Sequence, residues 1–438
     1  MRRHTWHTIF CSVVGLGCKG GDVSKEYDSA EPLIDPEVEV FVWGLGDRPD
    51  VPDDPTNRWA DDETAAWFGR YLYFDTRLSS SGTVSCATCH DPALGFGDGL
   101  PLSKGVDGQI TRRHAPNIWN AAYQRWMYWD GRCDTLWCQA AAPIEAPGEM
   151  NLTRVELARL MAEDPELSSG YTAIFGRLPD VSDPSRFPTA ARPVPDSPED
   201  PDDIAWQSMT TTDQDAVTEV LVNVAKAIAA YERTVISGET SVDRFIAALD
   251  RGDRRAAETA LDESARLGLE LFTGEGECVF CHAGWLGSNK TFHNVGLPDV
   301  DSADPLDTGR YDGIDALRSA EFNAASRWSD DPDGEIADRI DHVAQTFEQL
   351  GQFRTPAMRR VAHNAPYMHG GHFETLAEVV AFYNSPPEYL GPGHREELLE
   401  PRGWSAEEQL AVVAFLEALS DDAEPPASLL SAPSTPLP

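Results

Sequence analysis

Two pentapeptides of this 438-residue chain place two cysteines and a histidine at the same fixed spacing. They are Cys86-Ala87-Thr88-Cys89-His90 and Cys278-Val279-Phe280-Cys281-His282. Two thiols three positions apart can form thioethers with the two vinyl groups of one porphyrin, and the adjacent imidazole can then ligate the iron. The C-x-x-C-H form therefore predicts two covalently bound haem c groups, with His90 and His282 as proximal ligands.

Other uses of paired cysteines fit these motifs poorly. In ribbon-type zinc sites the two pairs lie about 15 to 20 residues apart, whereas 188 residues separate Cys89 from Cys278. A thioredoxin-type redox pair follows a strand, and neither motif follows a strand-like run. Two haems alone are compatible with a non-catalytic electron carrier, so an enzymatic function needs further residues.

Four further segments surround the two motifs. They are LYFDTRL at 72–78, GFGDG at 95–99, Trp129-Asp130-Gly131-Arg132 and Ala365-Pro366-Tyr367-Met368-His369. Over about residues 59–420 the chain thereby resembles the bacterial di-haem cytochrome c peroxidases and their MauG-like relatives. The resemblance implies a peroxide-reducing haem at His90 in an N-terminal domain and an electron-transferring haem at His282 in a C-terminal domain.

The resemblance also implies roles for three residues of the N-terminal half. Gln139 and Glu149 match the family's distal pocket in residue type and in their ten-residue spacing. A carboxylate beside H₂O₂ can take the proton from the near oxygen and deliver it to the leaving one, so Glu149 is the expected acid-base catalyst. Gln139 would orient the peroxide, and Trp129 matches the tryptophan that carries electrons between the haems. From the residues alone, Glu149 is compatible with a solvated surface site and Trp129 with core packing.

One departure from the family pattern concerns the peroxidatic iron. Val106 stands where peroxidases that need prior reduction have a histidine that ligates the resting iron. We therefore expect the haem at His90 to be open in the oxidised protein, with His114 as the alternative ligand.

A second departure concerns the other iron. Tyr383 stands fourteen residues after His369, where peroxidases of this family usually have a methionine and MauG-like members a tyrosine. Tyr383 is therefore the expected second axial ligand of the iron at His282, and a phenolate there should lower its reduction potential. Met358 and Met368 are the rival ligands.

The third departure affects a cation site. His114 occupies the position of a family asparagine near an interdomain calcium, and an imidazole is a poor calcium ligand. Asn364 and Pro366 match the carbonyl donors to that ion. The sequence thus leaves the binding of one calcium open.

The secondary-structure elements that position these residues are predicted to be mostly helices. Apolar residues recur at helical spacing, and alternating strand patterns are nearly absent. Helices are expected from Asp61 to Tyr73, from Thr153, and over Ala216–Ile236, Glu263–Phe272, Thr375–Tyr383 and Ser405–Leu419. Thr375 with Glu378, and Ser405 with Glu408, have capping-box spacing. The predicted fold is mostly α, with two cytochrome c-like haem domains packed against each other and joined by long loops.

Composition shifts along the chain predict its division. Arg2 and Arg3 precede a short apolar stretch that ends at Cys18, which has the order of an export signal and is compatible with lipidation. The Pro- and Asp-rich segment 179–203 reads as a surface linker. The predicted units are an export signal at 1–18, an acidic tether at 19–58, an N-terminal haem domain at 59–210, a C-terminal haem domain at 211–422 and a disordered tail at 423–438.

Charge restricts the partners. Thirty-five Lys and Arg residues against 73 Asp and Glu residues give a net charge of −38, which excludes a nucleic-acid partner. No membrane span is expected, since no stretch reaches the roughly 20 apolar residues required. A negative field of this size would steer a basic donor protein towards the chain.

The predicted function is that of a di-haem c-type peroxidase in the periplasm or cell envelope, tethered there if lipidated. It would reduce H₂O₂ with electrons from a small donor such as a c-type cytochrome or a cupredoxin. A MauG-like enzyme that oxidises a protein side chain is the alternative, and Val106 and Tyr383 both favour it.

Two cysteines remain outside the motifs and the signal. Cys133 and Cys138 are five positions apart. On a continuous helix their Cα atoms would lie about 8 Å apart, which is too far for a disulfide. A bond between them requires a turn, and the sequence leaves a disulfide and two buried thiols as equal alternatives.

Overall fold

The computed structural model describes residues 32–298, 306–389, 391–420 and 426–438. The predicted export signal, with Cys11 and Cys18, lies outside these residues. Among the helices of the described ranges, none is both long and apolar enough to cross a membrane.

Helices dominate the described part of the chain, which confirms that the fold is mostly α. In chain order they are α1 (Glu39–Gly44), α2 (Glu63–Tyr73), α3 (Cys86–Cys89), α4 (Leu136–Glu145), α5 (Arg154–Glu163), α6 (Pro165–Phe175), α7 (Pro201–Gln207), α8 (Thr211–Glu232), α9 (Ser241–Asp250), α10 (Arg254–Ala260), α11 (Glu263–Thr273), α12 (Arg310–Ser319), α13 (Glu335–Asp341), α14 (Leu376–Asn384), α15 (Ala406–Ala418) and α16 (Ala427–Leu430). Strands β1 (Phe292–His293) and β2 (Phe353–Arg354) form a short antiparallel pair in which Phe292 lies opposite Arg354.

Side chains at the helix starts explain where several helices begin. Asp62 accepts a hydrogen bond from the backbone of Ala65 and so caps α2. Thr375 and Ser405 both form complete capping boxes at the starts of α14 and α15, as their spacing predicts. Each box satisfies backbone donors that would otherwise lack a partner in the first turn.

The N-terminal haem motif lies beside a close crossing of α2 and α8. A Cβ atom at Gly69 would lie 1.8 Å from the carbonyl oxygen of Ala227, so only glycine permits this approach. One turn later, the ring of Tyr73 packs edge-on against Tyr231 with centroids 5.1 Å apart. The Tyr73 hydroxyl donates a 2.7 Å hydrogen bond to the carbonyl oxygen of His90. The crossing therefore sets the position of the motif histidine.

The C-terminal motif lies beside an equivalent crossing of α11 and α15. A Cβ atom at Gly268 would lie 1.9 Å from the carbonyl oxygen of Ala411. Phe272, four residues after this glycine, packs against Phe415 with ring centroids 5.0 Å apart. The same ring lies 6.3 Å from the imidazole of His282. The chain thus uses one local arrangement twice, once beside each motif.

The segments predicted as a tether and a surface linker both contain buried side chains. The predicted tether at 19–58 contains α1, and the apolar side chains of Val42 and Leu45 are buried. Residues 19–31 of that tether lie outside the described residues. The predicted surface linker at 179–203 buries Phe187 and Ala191. Although Pro and Asp are frequent in these segments, a few apolar side chains are sufficient to anchor each segment to the folded protein.

The domain boundary near residue 210 also differs from the structure. Helix α8, which follows that boundary, shares a single hydrophobic core with α2, α4 and α5 of the N-terminal half. The segment 426–438, expected to be disordered, contacts the same half. The Tyr231 hydroxyl donates to the carbonyl oxygen of Leu429 at 2.6 Å, and the Trp67 indole donates to that of Thr435 at 2.9 Å. Both helices α8 and α16 therefore pack with the N-terminal half.

Replacing Gly69 by alanine tests the helix crossing. The added methyl group would overlap the Ala227 carbonyl, so we expect α2 and α8 to separate and the free energy of unfolding to fall by about 1 to 3 kcal/mol. Gly44 at the end of α1 has no atom within 4 Å of its Cβ position. The control Gly44→Ala should therefore change stability by no more than about 0.5 kcal/mol in thermal unfolding. Equal melting temperatures for the two variants would contradict the close contact between α2 and α8 at Gly69.

Candidate functional site

One cavity of about 580 Å³ brings the predicted N-terminal site residues together. Its walls include Cys86, Cys89, His90, Trp129, Gln139 and Glu149, together with residues from the C-terminal half, namely Asp307, Thr308, Asp312, Ala316, Arg354, Pro356 and Ala357. Its volume falls in the range of about 300 to 1,000 Å³ that is typical of ligand pockets. Residues 63 positions apart in the sequence, from Cys86 to Glu149, therefore face one interior space.

Both motif histidines are prepared to bind a metal through one nitrogen. Nδ1 of His90 lies 3.3 Å from the carbonyl oxygen of Phe96, and Nδ1 of His282 lies 2.9 Å from that of Gly287. A carbonyl partner makes Nδ1 the protonated nitrogen and leaves Nε2 as the ligand atom. Burial lowers the pKa of His90 and lowers the pKa of His282 to about 4. Both imidazoles are therefore neutral, as iron ligation requires.

The four motif cysteines are not paired with one another. Burial raises the pKa of Cys89 and Cys281 to about 11 and that of Cys278 to about 12, and it also raises the pKa of Cys86. These protonated thiols are unlike the thiolates of a zinc site. Within the ranges that the structure covers, no cluster of three or more His, Cys, Asp or Glu side chains could hold a metal ion.

The polar lining of the large cavity suits a haem group. The arginines among its lining residues are Arg112, Arg113, Arg132 and Arg354. The buried indole nitrogen of Trp119 and Nη1 of Arg354 also line it and have no hydrogen-bond partner in the protein. A haem carries an apolar ring and two carboxylates, so apolar walls with unpaired donors fit it.

Glu149 is held in the cavity through its backbone. Its carbonyl oxygen accepts a 2.9 Å hydrogen bond from the backbone of Val106. The preceding Gly105 lies so close that a Cβ atom there would be 2.0 Å from the Gly148 carbonyl oxygen. Burial raises the pKa of the Glu149 carboxyl, and the charge of Arg132 opposes that rise. Val106 itself is buried.

Gln139 stands on α4 among residues that the sequence reasoning did not single out. The Tyr128 hydroxyl donates to the Gln139 carbonyl oxygen at 3.3 Å. The guanidinium of Arg132 lies 3.4 Å from the centroid of the Tyr128 ring. Tyr128 and Arg132 therefore flank the predicted distal pair. In the sequence, their position next to Trp129 was the only indication that they belong to the site.

Glu232 is a second carboxyl in the cavity that sequence reasoning missed. It ends α8, lines the cavity and has one carboxyl oxygen without a hydrogen-bond partner. Burial raises its pKa to about 8, so it is largely protonated at neutral pH. The sequence indicates this carboxyl only as an acidic residue at the end of the long apolar face of α8.

Trp129 lies between the two halves of the chain. Its indole nitrogen donates a 2.9 Å hydrogen bond to the carbonyl oxygen of His114. Its ring lies 6.4 Å from that of His369, which stacks on Phe353 at a centroid distance of 3.6 Å. Nδ1 of His114 lies 2.8 Å from the Leu100 carbonyl oxygen. Contacts from both halves thus fix the tryptophan.

The rival ligands of the second iron occupy different places. Tyr383 on α14 is half-buried; desolvation raises its pKa, and the Cys278 and Cys281 thiols add to that rise. Met358 lines a small cavity of about 10 Å³ together with His282. Met368 lies in the Ala365-Pro366-Tyr367-Met368-His369 segment with a φ of 73°. The structure therefore places Tyr383 near both thiols of the motif.

The residues predicted for calcium lie in the C-terminal half. Asn364 has a buried side-chain oxygen without a hydrogen-bond partner, and it precedes the cis peptide between Ala365 and Pro366. An amide oxygen is a ligand type that calcium accepts. Calcium binding at Asn364 and Pro366 stays a prediction.

Cys133 and Cys138 form a disulfide with a Cα–Cα distance of 5.8 Å. The bond is possible because α4 begins only at Leu136, after the capping residue Thr135. A turn therefore separates the two cysteines, and the disulfide is the correct one of the two alternatives. It closes the loop between Trp129 and Gln139.

Comparisons with known proteins identify similar chains. A sequence profile described as di-haem cytochrome c peroxidase matches residues 63–251. Over 389 residues the chain is 32% identical to cytochrome-c peroxidase IdrP1 of Denitromonas iodatirespirans, covering 86% of each protein. Over 367 residues it is 30% identical to the methylamine utilization protein MauG of Methylorubrum extorquens, covering 83% of this chain and 79% of that protein. A solved MauG-like protein associated with microbial copper homeostasis has the same fold, with a TM-score of 0.59 at 24% identity, over 88% of this chain and 98% of that one.

Removing the disulfide tests its contribution to the site loop. By closing a short loop it should stabilise the protein by about 2 kcal/mol. We expect the double variant Cys133→Ser, Cys138→Ser to melt at a lower temperature than the wild type. A mild reductant should lower the melting temperature of the wild type alone. A wild type and variant that melt together in oxidising buffer would contradict this role.

Proposed function

The chain belongs to the family of di-haem cytochrome c peroxidases, and we propose that it reduces H₂O₂ to water with electrons from a small donor protein. As a family member it is an oxidoreductase of the cytochrome c peroxidase type that contains haem. The observation that carries the proposal is the convergence of His90, Glu149, Gln139 and Trp129 on one cavity. A simple electron carrier has no need of an acid-base group there.

Covalent attachment of both haems is part of the proposal. Cys86 and Cys89 would bind one haem, with His90 as the iron ligand, and the motif from Cys278 to His282 would bind the other. Bound haem supplies the iron at which the peroxide O–O bond is cleaved. The neutral imidazoles and the unbonded thiols of both motifs support this assignment.

Glu149 moves protons in the proposed reaction. With peroxide bound in the cavity, its carboxylate would accept a proton from one peroxide oxygen and deliver it to the other, which would leave as water. The positive charge of Arg132 favours the ionised form that the first transfer requires. Gln139 orients the peroxide through its side-chain amide. Gln139 lies on α4, and Glu149 lies four residues after the end of this helix.

Trp129 carries electrons from the C-terminal half to the cavity. Its ring is buried at 8% exposure, and its indole hydrogen bond to His114 fixes its orientation. The backbone of Arg354 donates a 2.7 Å hydrogen bond to its carbonyl oxygen. A fixed aromatic ring between the two motifs supports a short path for electron transfer.

The donor and the location follow from charge and the N-terminal pattern. A net charge of −38 favours a basic c-type cytochrome or cupredoxin, since opposite charge accelerates encounter at low salt. We propose the periplasm or cell envelope as the location, with a lipid at Cys18 as the tether. One calcium ion at Asn364 and Pro366 completes the proposed cofactor set.

A MauG-like oxidation of a protein side chain is the second candidate. The apolar Val106 and the placement of Tyr383 beside the second pair of thiols favour it. Such an enzyme would withdraw electrons from a protein substrate along the path that a peroxidase uses to receive them. The two functions share Glu149 and Trp129 and differ in the electron source.

Peroxide added to the oxidised holoprotein tests the proposal. Rapid oxidation of a reduced small cytochrome supports the peroxidase, whereas a persistent spectral change without donor supports the MauG-like alternative. The variant Glu149→Gln cannot accept a proton, and its rate with H₂O₂ should fall by about 10²- to 10⁴-fold. An unaltered spectrum after peroxide addition to the wild type would contradict both functions.

The pH dependence of the same rate reports on Glu149. Because burial raises the pKa of Glu149 above its usual value of 4.5, protonation should begin to slow the reaction at a pH above that value. Glu149→Gln should lack this acidic limb. The exposed residue Glu163 provides the control Glu163→Gln, which should retain the wild-type rate and profile. A full rate in Glu149→Gln would remove the acid-base role.

The variant Tyr383→Phe tests the second axial ligand. Loss of the phenol oxygen should change the absorption spectrum of the oxidised haem at His282 and raise its reduction potential. The control Tyr71→Phe alters a tyrosine that hydrogen-bonds Glu166 in the other half, and its spectrum should match the wild type. An unchanged spectrum in Tyr383→Phe, together with a changed one in Met358→Leu, would assign the ligand to Met358.

A further inference from the structure

Arg354 is a buried cation without an anionic partner in the protein. The residue is 7% exposed, and its Nη1 atom has no hydrogen-bond partner. Its Nε atom donates only to the backbone carbonyl of Tyr128, at 3.2 Å. Burial lowers its pKa to about 10 with no carboxylate to oppose the change. An unpaired buried charge of this kind costs several kcal/mol, so a partner is expected.

Two carboxylates of the cavity wall are already paired with other arginines. Asp130 accepts from Arg113 at 2.5 Å and from Arg132 at 3.0 Å. Asp307 accepts from Arg113 at 2.7 Å. Glu149 and Glu232 also line the cavity, but burial is the only influence resolved on Arg354. Its guanidinium therefore has no anionic partner among the described side chains.

The position of Arg354 identifies where that anion lies. The residue belongs to β2 in the C-terminal half, yet it lines the large cavity that also contains His90 and both thiols of the first motif. Pairing with Phe292 on β1 and a 2.7 Å backbone hydrogen bond to Trp129 fix its backbone on both sides. The side chain is therefore oriented into the cavity before any ligand binds.

We propose that Arg354 binds a propionate carboxylate of the haem held by His90. This inference depends on one part of the proposed function, namely that a haem binds in this cavity. A guanidinium is suited to a carboxylate because its planar N–H groups can form two parallel hydrogen bonds with the two oxygens. The C-terminal half thus supplies an anion-binding residue to the cofactor of the N-terminal half, directly beside the backbone of Trp129.

A fixed positive charge near the haem stabilises the reduced iron relative to the oxidised iron. Removing that charge should therefore lower the reduction potential of the haem at His90. In Arg354→Met we expect the equilibrium constant for reduction to fall about tenfold, which corresponds to about 59 mV for a one-electron couple. Arg354→Lys retains the charge but loses the planar pair of donors, and should recover most of the shift.

The experiment is a spectroelectrochemical titration of the holoprotein without peroxide or donor, following each haem separately. Arg192 provides the control because it is similarly buried and hydrogen-bonds Asn151 away from the cavity lining. Arg192→Met should retain both wild-type potentials. Because no turnover is measured, the result is independent of whether the protein is a peroxidase.

Three results would overturn the inference. One is an unchanged potential at the His90 haem in Arg354→Met with full haem content. Another is a shift confined to the His282 haem, which would assign the carboxylate to that haem. If Arg354→Met does not retain haem, resonance Raman spectroscopy of Arg354→Lys replaces the titration. A shifted propionate vibration of the His90 haem would support the contact. The third contradicting result is a propionate vibration at the wild-type frequency.

Discussion

The close contact between helix backbones at two glycines is the constraint on which the rest of the structure depends. Gly69 and Gly268 each face a carbonyl oxygen of the partner helix at a distance that excludes any side chain. In each case an aromatic residue four positions later packs against the partner helix and lies near the motif histidine. The motifs have few buried apolar atoms of their own, so the helix pairs must hold them. The repetition of this arrangement explains how one chain builds two similar haem sites.

Burial then determines the chemistry of the large cavity. Desolvation keeps the His90 imidazole neutral and raises the pKa values of Glu149 and Glu232. Arg132 opposes this effect at Glu149, whereas burial is the only influence resolved at Glu232. Both carboxyls of the cavity thus have raised pKa values, and a nearby cation opposes the rise at Glu149 alone. A chain with a net charge of −38 nevertheless collects arginines around this space, which is consistent with a cofactor that carries carboxylates.

The two halves meet at the segment that begins with Tyr128. Arg354 binds the backbone of Tyr128 and Trp129, while Arg310 donates to the carbonyl oxygens of Asp130 and Gly131 at 3.0 and 2.7 Å. These contacts make the position of the tryptophan depend on both halves. The Cys133–Cys138 disulfide follows this segment and connects it to α4, which carries Gln139. A displacement of either half would therefore move Trp129 relative to the cavity.

The sequence by itself determined the two C-x-x-C-H motifs, the helical class and several helix starts. These properties depend on short spacings and on side chains that act on their own backbone, as Thr375 and Ser405 do in their capping boxes. Only the tertiary structure decided that the segments 34–58 and 179–203 are packed, that α8 belongs with the N-terminal half, and that Cys133 bonds Cys138. It also placed Arg354 in a cavity whose motif lies 264 positions earlier, at His90. These features depend on contacts between distant segments of the chain. The free energy of burial is summed over many neighbouring residues, so it cannot be inferred from the residue type at one position.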